Sequence, residues 1–219
     1  ALDRAGDWLI KQWNEQRLDV RVGTFEAWKH TCRNLEVDVT GPISGPIVVI
    51  GAHYDSASPC PGADDNASGV AALLEVPKAL RGAPAKGGRR AVAFTNEEPP
   101  NFRTDTQGSR VYAKAAVERG ERIAAMISLE TIGWYDDRPG SQRYPAGLSH
   151  FYPSTGSFVG VAGNVASRPL VHRVTSLMRA ASTSPSVHRD PLFGLQPNAS
   201  GAVSPGSASE LQRLMPVEC

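Results

Sequence analysis

Apolar residues recur at Leu2, Ala5, Leu9 and Trp13, the spacing of one helical face, so the chain is predicted to open with an amphipathic helix. The segments DVRV (19–22) and NLEVDV (34–39) alternate apolar and polar residues, as half-buried strands do. IVVIGA, Ile47 to Ala52, is instead an unbroken apolar run, the mark of a strand covered on both faces. RAVAFT (Arg90 to Thr95), IAAMISL (Ile123 to Leu129) and SFVGVAG (Ser157 to Gly163) read as further strands. Helical patterns lie between them. The first is SGVAALLEVPKAL from Ser68, which Pro77 is expected to kink or shorten. GSRVYAKAAVERG ends at a capping glycine, Gly120, and a last helix covers Arg168 to Ala180. Strands and helices alternating in this order predict an α/β domain, a largely parallel sheet covered on both faces and linked by right-handed crossovers.

The alternation stops near Ser182. Beyond it Ser, Pro, Gly and Ala dominate, only ASELQRLM suggests a short helix, and no buried strand is legible after Gly163. The chain therefore reads as an α/β domain over residues 1–181 with an irregular tail over 182–219.

Composition changes this picture little. At 219 residues the chain can bury the core of one domain. Its net charge of +1 offers no basic surplus for nucleic acid or an anionic membrane. No apolar run reaches the roughly 18 residues of a membrane span. The sequence starts at Ala1 with no signal peptide, which leaves export and compartment open. Cys32, Cys60 and Cys219 lack C-x-x-C spacing and are expected to be ordinary thiols. Asn66-Ala-Ser and Asn198-Ala-Ser fit the glycosylation sequon, a pattern short enough to arise often by chance.

The strand ends carry the chemistry. In an open parallel sheet, ligands bind beyond the carboxyl ends of the strands. IVVIGA runs into His53-Tyr54-Asp55, RAVAFT into Asn96-Glu97-Glu98, and IAAMISL into Glu130, while Asp64 and Asp65 occupy the turn before the helix at Ser68. His53 and Asp55 are two residues apart, so on a strand they point to one side, and an aspartate there can hold one imidazole nitrogen while the other stays free for a metal. Glu97 and Glu98 are adjacent and diverge, which lets one bind a metal while the other faces an activated water. Each piece alone has a plain structural reading: a satisfied core histidine, a turn with a helix cap, a solvated loop. Together, at successive strand ends, they point to a cation site, and a mixed histidine and carboxylate set suits zinc.

The segments VVIGAHYDS, PGADDNASGVAALLE, VAFTNEEPP, QGSRVYA and SLETIGWY occur in that order and closely resemble a bacterial subgroup of the two-zinc aminopeptidases, metallopeptidase family twenty-eight, over roughly Leu2 to Ala180. The resemblance implies a three-layer α/β sandwich with a largely parallel mixed sheet, here lacking its last strands. It implies that His53, Asp65, Glu98 and Glu130 bind zinc, with Asp65 bridging two ions and Asp64 shaping the turn. Glu97 would be the general base and Asp55 would orient His53, the two catalytic assignments. The substrate would be a peptide with a free N-terminus. One expected ligand is absent: relatives supply a late histidine to the second zinc, and after Glu130 this chain offers only His150, His172 and His188. Of these, His188 alone comes late enough in the chain to be considered. From Ser182 the resemblance vanishes, and a frameshift or truncated reading frame is the expected reason. A glutaminyl cyclase and a metal-binding or interaction domain without catalysis are the alternative readings.

Overall fold

A computed structural model describes residues 2–39, 45–84, 86–144, 148–150 and 152–181, with the backbone alone of 187–189. The chain falls into two compact units, residues 1–133 and 134–219. The first runs α1 (Leu2–Glu15), β1 (Val20–Ala27), β2 (His30–Asp38), β3 (Ile47–His53), α2 (Ala67–Leu80), β4 (Gly88–Phe94), α3 (Gly108–Glu118) and β5 (Ile123–Ser128).

Its sheet is mixed, in the order β1-β2-β4-β3-β5. β1 and β2 form a hairpin whose turn residues, Trp28 and Lys29, take φ of 50° and 65°, the sign needed for a turn that follows the strands' twist. β2 pairs antiparallel with β4, whereas β4, β3 and β5 are parallel. Alternation along the strands divides the core in two. Ala91 and Ala93 of β4 face a cluster with Leu9 and Trp13 of α1 and Leu73 and Leu74 of α2. Val92 and Phe94 face Tyr112 and Ala116 of α3. Helices therefore cover both faces, giving the α/β layers expected from the sequence.

α2 runs unbroken through the buried Pro77 to Leu80, so the expected shortening does not occur. Pro77 lies within the last turn, where its missing N–H removes one helical hydrogen bond at most. Where β2 meets β4, the buried Arg90 reaches Asp38 at 2.7 Å and Glu121 at 2.8 Å, and Arg21 reaches Glu36 at 2.9 Å and Asp38 at 2.8 Å.

In the second unit, β6 (Val159–Val161) pairs in parallel with β7 (Val187–Arg189), and α4 spans Arg168–Ala181. Only three residues of SFVGVAG are extended, and they pair with β7 rather than with a strand of the five-stranded sheet. An apolar run predicts a strand but does not name its partner. The strand at 187–189 falls where none was legible; the rest of the 182–219 tail, and the side chain of His188, lie outside the described residues. Cys32 is a buried free thiol, whereas Cys60 is disulfide-bonded, which corrects the expectation of thiols throughout. Among the described residues no helix is long and apolar enough to cross a membrane.

Candidate metal centre

β3 is the middle strand of the parallel trio, with His53 at its end beside Phe94 of β4. Tyr54 N donates to Phe94 O at 2.9 Å and Leu129 N to Gly51 O at 2.8 Å, which extends both ladders one step further. The loops after β4 and β5 thus leave the sheet on either side of His53, bringing Glu97 and Glu98 from one side and Glu130 from the other.

Nδ1 of His53 lies 3.0 Å from the carbonyl oxygen of Asp55. A carbonyl can only accept, so Nδ1 carries the hydrogen and Nε2 is the nitrogen left to bind a cation. Nε2 faces acids: Glu130 Oε1 at 2.9 Å, Asp65 Oδ1 at 3.1 Å and Glu98 Oε1 at 3.7 Å. One ligand atom each from His53, Asp65 and Glu98 fits within 4.8 Å. The Asp55 carboxylate is 3.4 Å from Nδ1 and also accepts from the backbone N–H groups of Glu97 at 3.2 Å and Glu98 at 3.0 Å. It therefore ties the end of β3 to the loop after β4.

Burial disfavours a charge on His53, yet the surrounding Asp55, Asp65 and Glu130 hold its pKa well above 6.5. Burial pushes Glu98 up to about 7, and Asp65, Asp55 and Glu130 add to the rise against the opposing pull of His53. Burial likewise raises Glu130 against the pull of His53. The His53 imidazole nitrogen and the crowded carboxylates of Asp65, Glu98 and Glu130 form a donor set whose mutual repulsion a divalent cation would relieve and that fits zinc.

Glu97 points elsewhere. Its carboxylate accepts from Ser109 N at 2.6 Å, Ser109 Oγ at 2.9 Å and Gln107 Nε2 at 2.7 Å, all at the start of α3. Burial raises its pKa even so, against the opposing effect of those donors. The approach is close: a Cβ on Gly108 would sit 2.1 Å from Thr95 O. On the far side of the loop, Asn101 N donates to Glu98 O at 2.9 Å, and Asn101 Oδ1 accepts from Trp28 Nε1 at the hairpin tip, also at 2.9 Å.

The turn carrying Asp65 is held by Asn66, which caps α2 by accepting from Gly69 N at 3.1 Å. Asn66 is only 1% exposed, so its sequon is closed to glycosylation in the folded chain; Asn198 lies outside the described residues. Sequence reasoning missed Asn66, Ser68, Gln107 and Ser109 as partners of the site. Their one available signal was a cluster of hydrogen-bonding side chains at two helix starts. His150 is exposed and His172 lies within α4, both in the second unit.

Residues 34–178 match the model of peptidase family M28. The chain belongs to that family. A curated relative, the uncharacterized protein YfbL of Escherichia coli K12, is 46% identical over 155 residues, covering 67% of this chain and 47% of its own length. The fold is similar to that of the LapA aminopeptidase of Legionella pneumophila, with a TM-score of 0.62 at 19% identity, over 85% of this chain and 47% of that one. It is also similar to a glutaminyl cyclase of Porphyromonas gingivalis, with a TM-score of 0.60 at 19% identity, over 84% and 65% of the two chains. The chain thus spans about half the length of the first of these relatives.

Proposed function

We propose that the chain is the metal-binding part of a zinc-dependent aminopeptidase that removes N-terminal residues from peptides. One observation carries the reading: in a member of peptidase family M28, His53 Nε2, Asp65 and Glu98 converge within 4.8 Å at the strand ends, with Glu130 2.9 Å from the same nitrogen. His53, Asp65, Glu98 and Glu130 would hold zinc. When bound, zinc polarises a carbonyl and makes a bound water acidic enough to act as a nucleophile near neutral pH.

The chain's own residues divide the remaining work. Asp55 fixes His53 with Nε2 outward and holds the backbone of the Glu97–Glu98 loop. Asp65, 3.1 Å from His53 Nε2, would be the ligand shared by two ions. Glu97, whose pKa burial raises, is the group to take a proton from the attacking water and return it to the leaving amine. Acting as base requires its carboxylate to turn from Gln107 and Ser109, or to share them. The carboxylate-rich surroundings favour a substrate with a cationic free N-terminus. A histidine completing a second zinc site has no counterpart among the described ligand residues.

The engagement of Glu97 by three donors favours a second reading, a metal-binding domain without turnover. The test starts with zinc per chain after dialysis against buffered zinc, then compares hydrolysis of an amino-acyl anilide with that of its N-blocked form. Zinc binding with cleavage of the free anilide alone supports the aminopeptidase. Zinc binding with neither cleaved supports the second reading, and cyclisation of an N-terminal glutaminyl peptide would redirect the assignment to a cyclase. Absence of zinc binding would overturn both metal-based readings.

A further inference from the structure

Glu130 stands two residues beyond β5, just past the last ladder hydrogen bond, from Leu129 N to Gly51 O. Its neighbour Thr131 has φ of 43°, a left-handed conformation that β-branched residues rarely adopt. Such a conformation persists only where its surroundings impose it. They do so here through one short loop. Asn66 Nδ2 donates to Leu129 O at 2.8 Å, and Asn66 Oδ1 accepts from Thr131 N at 3.3 Å. Ser68 Oγ accepts from Ile132 N at 3.0 Å and donates to Asp64 O at 2.6 Å. Asp64 Oδ1 accepts from Gly133 N at 2.8 Å. The backbone on both sides of Glu130 is therefore gripped by side chains from residues 64–68.

The grip leaves no spare space. A Cβ on Gly69 would lie 2.6 Å from Leu129 O, and one on Gly133 would lie 2.8 Å from Ser68 Cβ. Glycine on each side of the contact lets the two segments meet at hydrogen-bonding distance.

We infer that Asn66 and Ser68, with Asp64, are positioning residues for Glu130: the loop that supplies Asp65 also sets where Glu130, the other acid nearest His53 Nε2, stands. The inference rests on the reading of Glu130 as a zinc ligand. Its physical basis is that groups behind a metal ligand fix its geometry, and their loss weakens metal binding by about 10–100-fold.

The test measures zinc affinity of the full chain by chelator competition, with the zinc ion alone as probe and folding of each metal-free variant checked by circular dichroism. Asn66→Asp keeps the acceptor that caps α2 but removes the donor to Leu129 O. Its added negative charge would favour zinc, so weaker binding identifies lost geometry. Ser68→Ala, at a partly exposed site in the first turn of α2, serves as an independent variant if Asn66→Asp fails to fold. Both are expected to weaken zinc binding by about tenfold or more. In a Glu130→Gln background, Ser68→Ala should produce no further loss, because it acts through Glu130. Full additivity of the two losses would assign Ser68 a merely structural role and overturn the inference. Unchanged affinity in Asn66→Asp and Ser68→Ala, with Glu130→Gln weakened, would overturn it while sparing the ligand reading. If Glu130→Gln itself leaves affinity unchanged, the ligand reading fails and the inference with it.

Discussion

Two adjacent glutamates occupy opposed settings. Glu98 faces His53 and the acids, whereas Glu97 is anchored to the start of α3. Removing charge from each should separate metal binding from chemistry. Glu97→Gln is expected to retain zinc while hydrolysis of the free anilide falls by about 10²–10⁴-fold, measured as kcat at saturating substrate. Glu98→Gln is expected to lose zinc first. His53, Glu97, Glu98 and Glu130 were legible because each follows an apolar run, and Asp65 because it precedes an apolar helix; a strand-end rule then gathers them on one edge. Their partners were not legible. Asn66 and Leu129 are 63 residues apart, so a contact between them exists only once the crossovers have placed the strands.

Among the elements, β2 and β4 are joined by charge as well as by their ladder. Burial would raise the pKa of Asp38, but hydrogen bonds from Arg21 and Arg90 more than offset it and hold the group below 3.8. Glu121 is held below 4.5 in the same way, burial being overcome by Arg119 and Arg90. A carboxylate whose folded pKa lies below its unfolded value contributes stability that is fully present above the unfolded value and drains as pH falls through the folded one. Thermal unfolding of the wild type should therefore fall steeply below about pH 4.5, while Asp38→Asn should be less stable at pH 7 and lose less on acidification. Equal slopes for the two would remove Asp38 from the acid response. Hydrophobic period located these elements well, including α1 and the parallel strands. It did not assign SFVGVAG to its partner β7, and the shortening expected at Pro77 does not occur. Pairing partners and proline tolerance are set by packing, which a single segment does not encode.

At the scale of the whole molecule, metal and fold are linked by mass action. If zinc binds the folded chain and not the unfolded one, free zinc at 100 times its Kd stabilises by about 2.7 kcal/mol. A chelator should lower the thermal midpoint of the chain and replenished zinc should restore it; a midpoint indifferent to both would mean that the site does not hold zinc. The family and the layered α/β architecture were legible from five ordered segments, because sheet, helices and strand-end acids agree. The boundary at 133/134 was not, since no change of composition marks it. The central place of β3 has a further consequence, for biosynthesis. His53 meets Glu130 across 77 residues, and Glu98 comes from the strand on the other side. A chain emerging from the ribosome offers scattered donors until residue 130 has cleared the exit tunnel and β5 has docked on β3. These long-range closures make the parallel trio a slow topology to complete. Metal capture by the native cluster would then belong to the end of folding, so zinc would meet an assembled set of ligands and not a nascent strand.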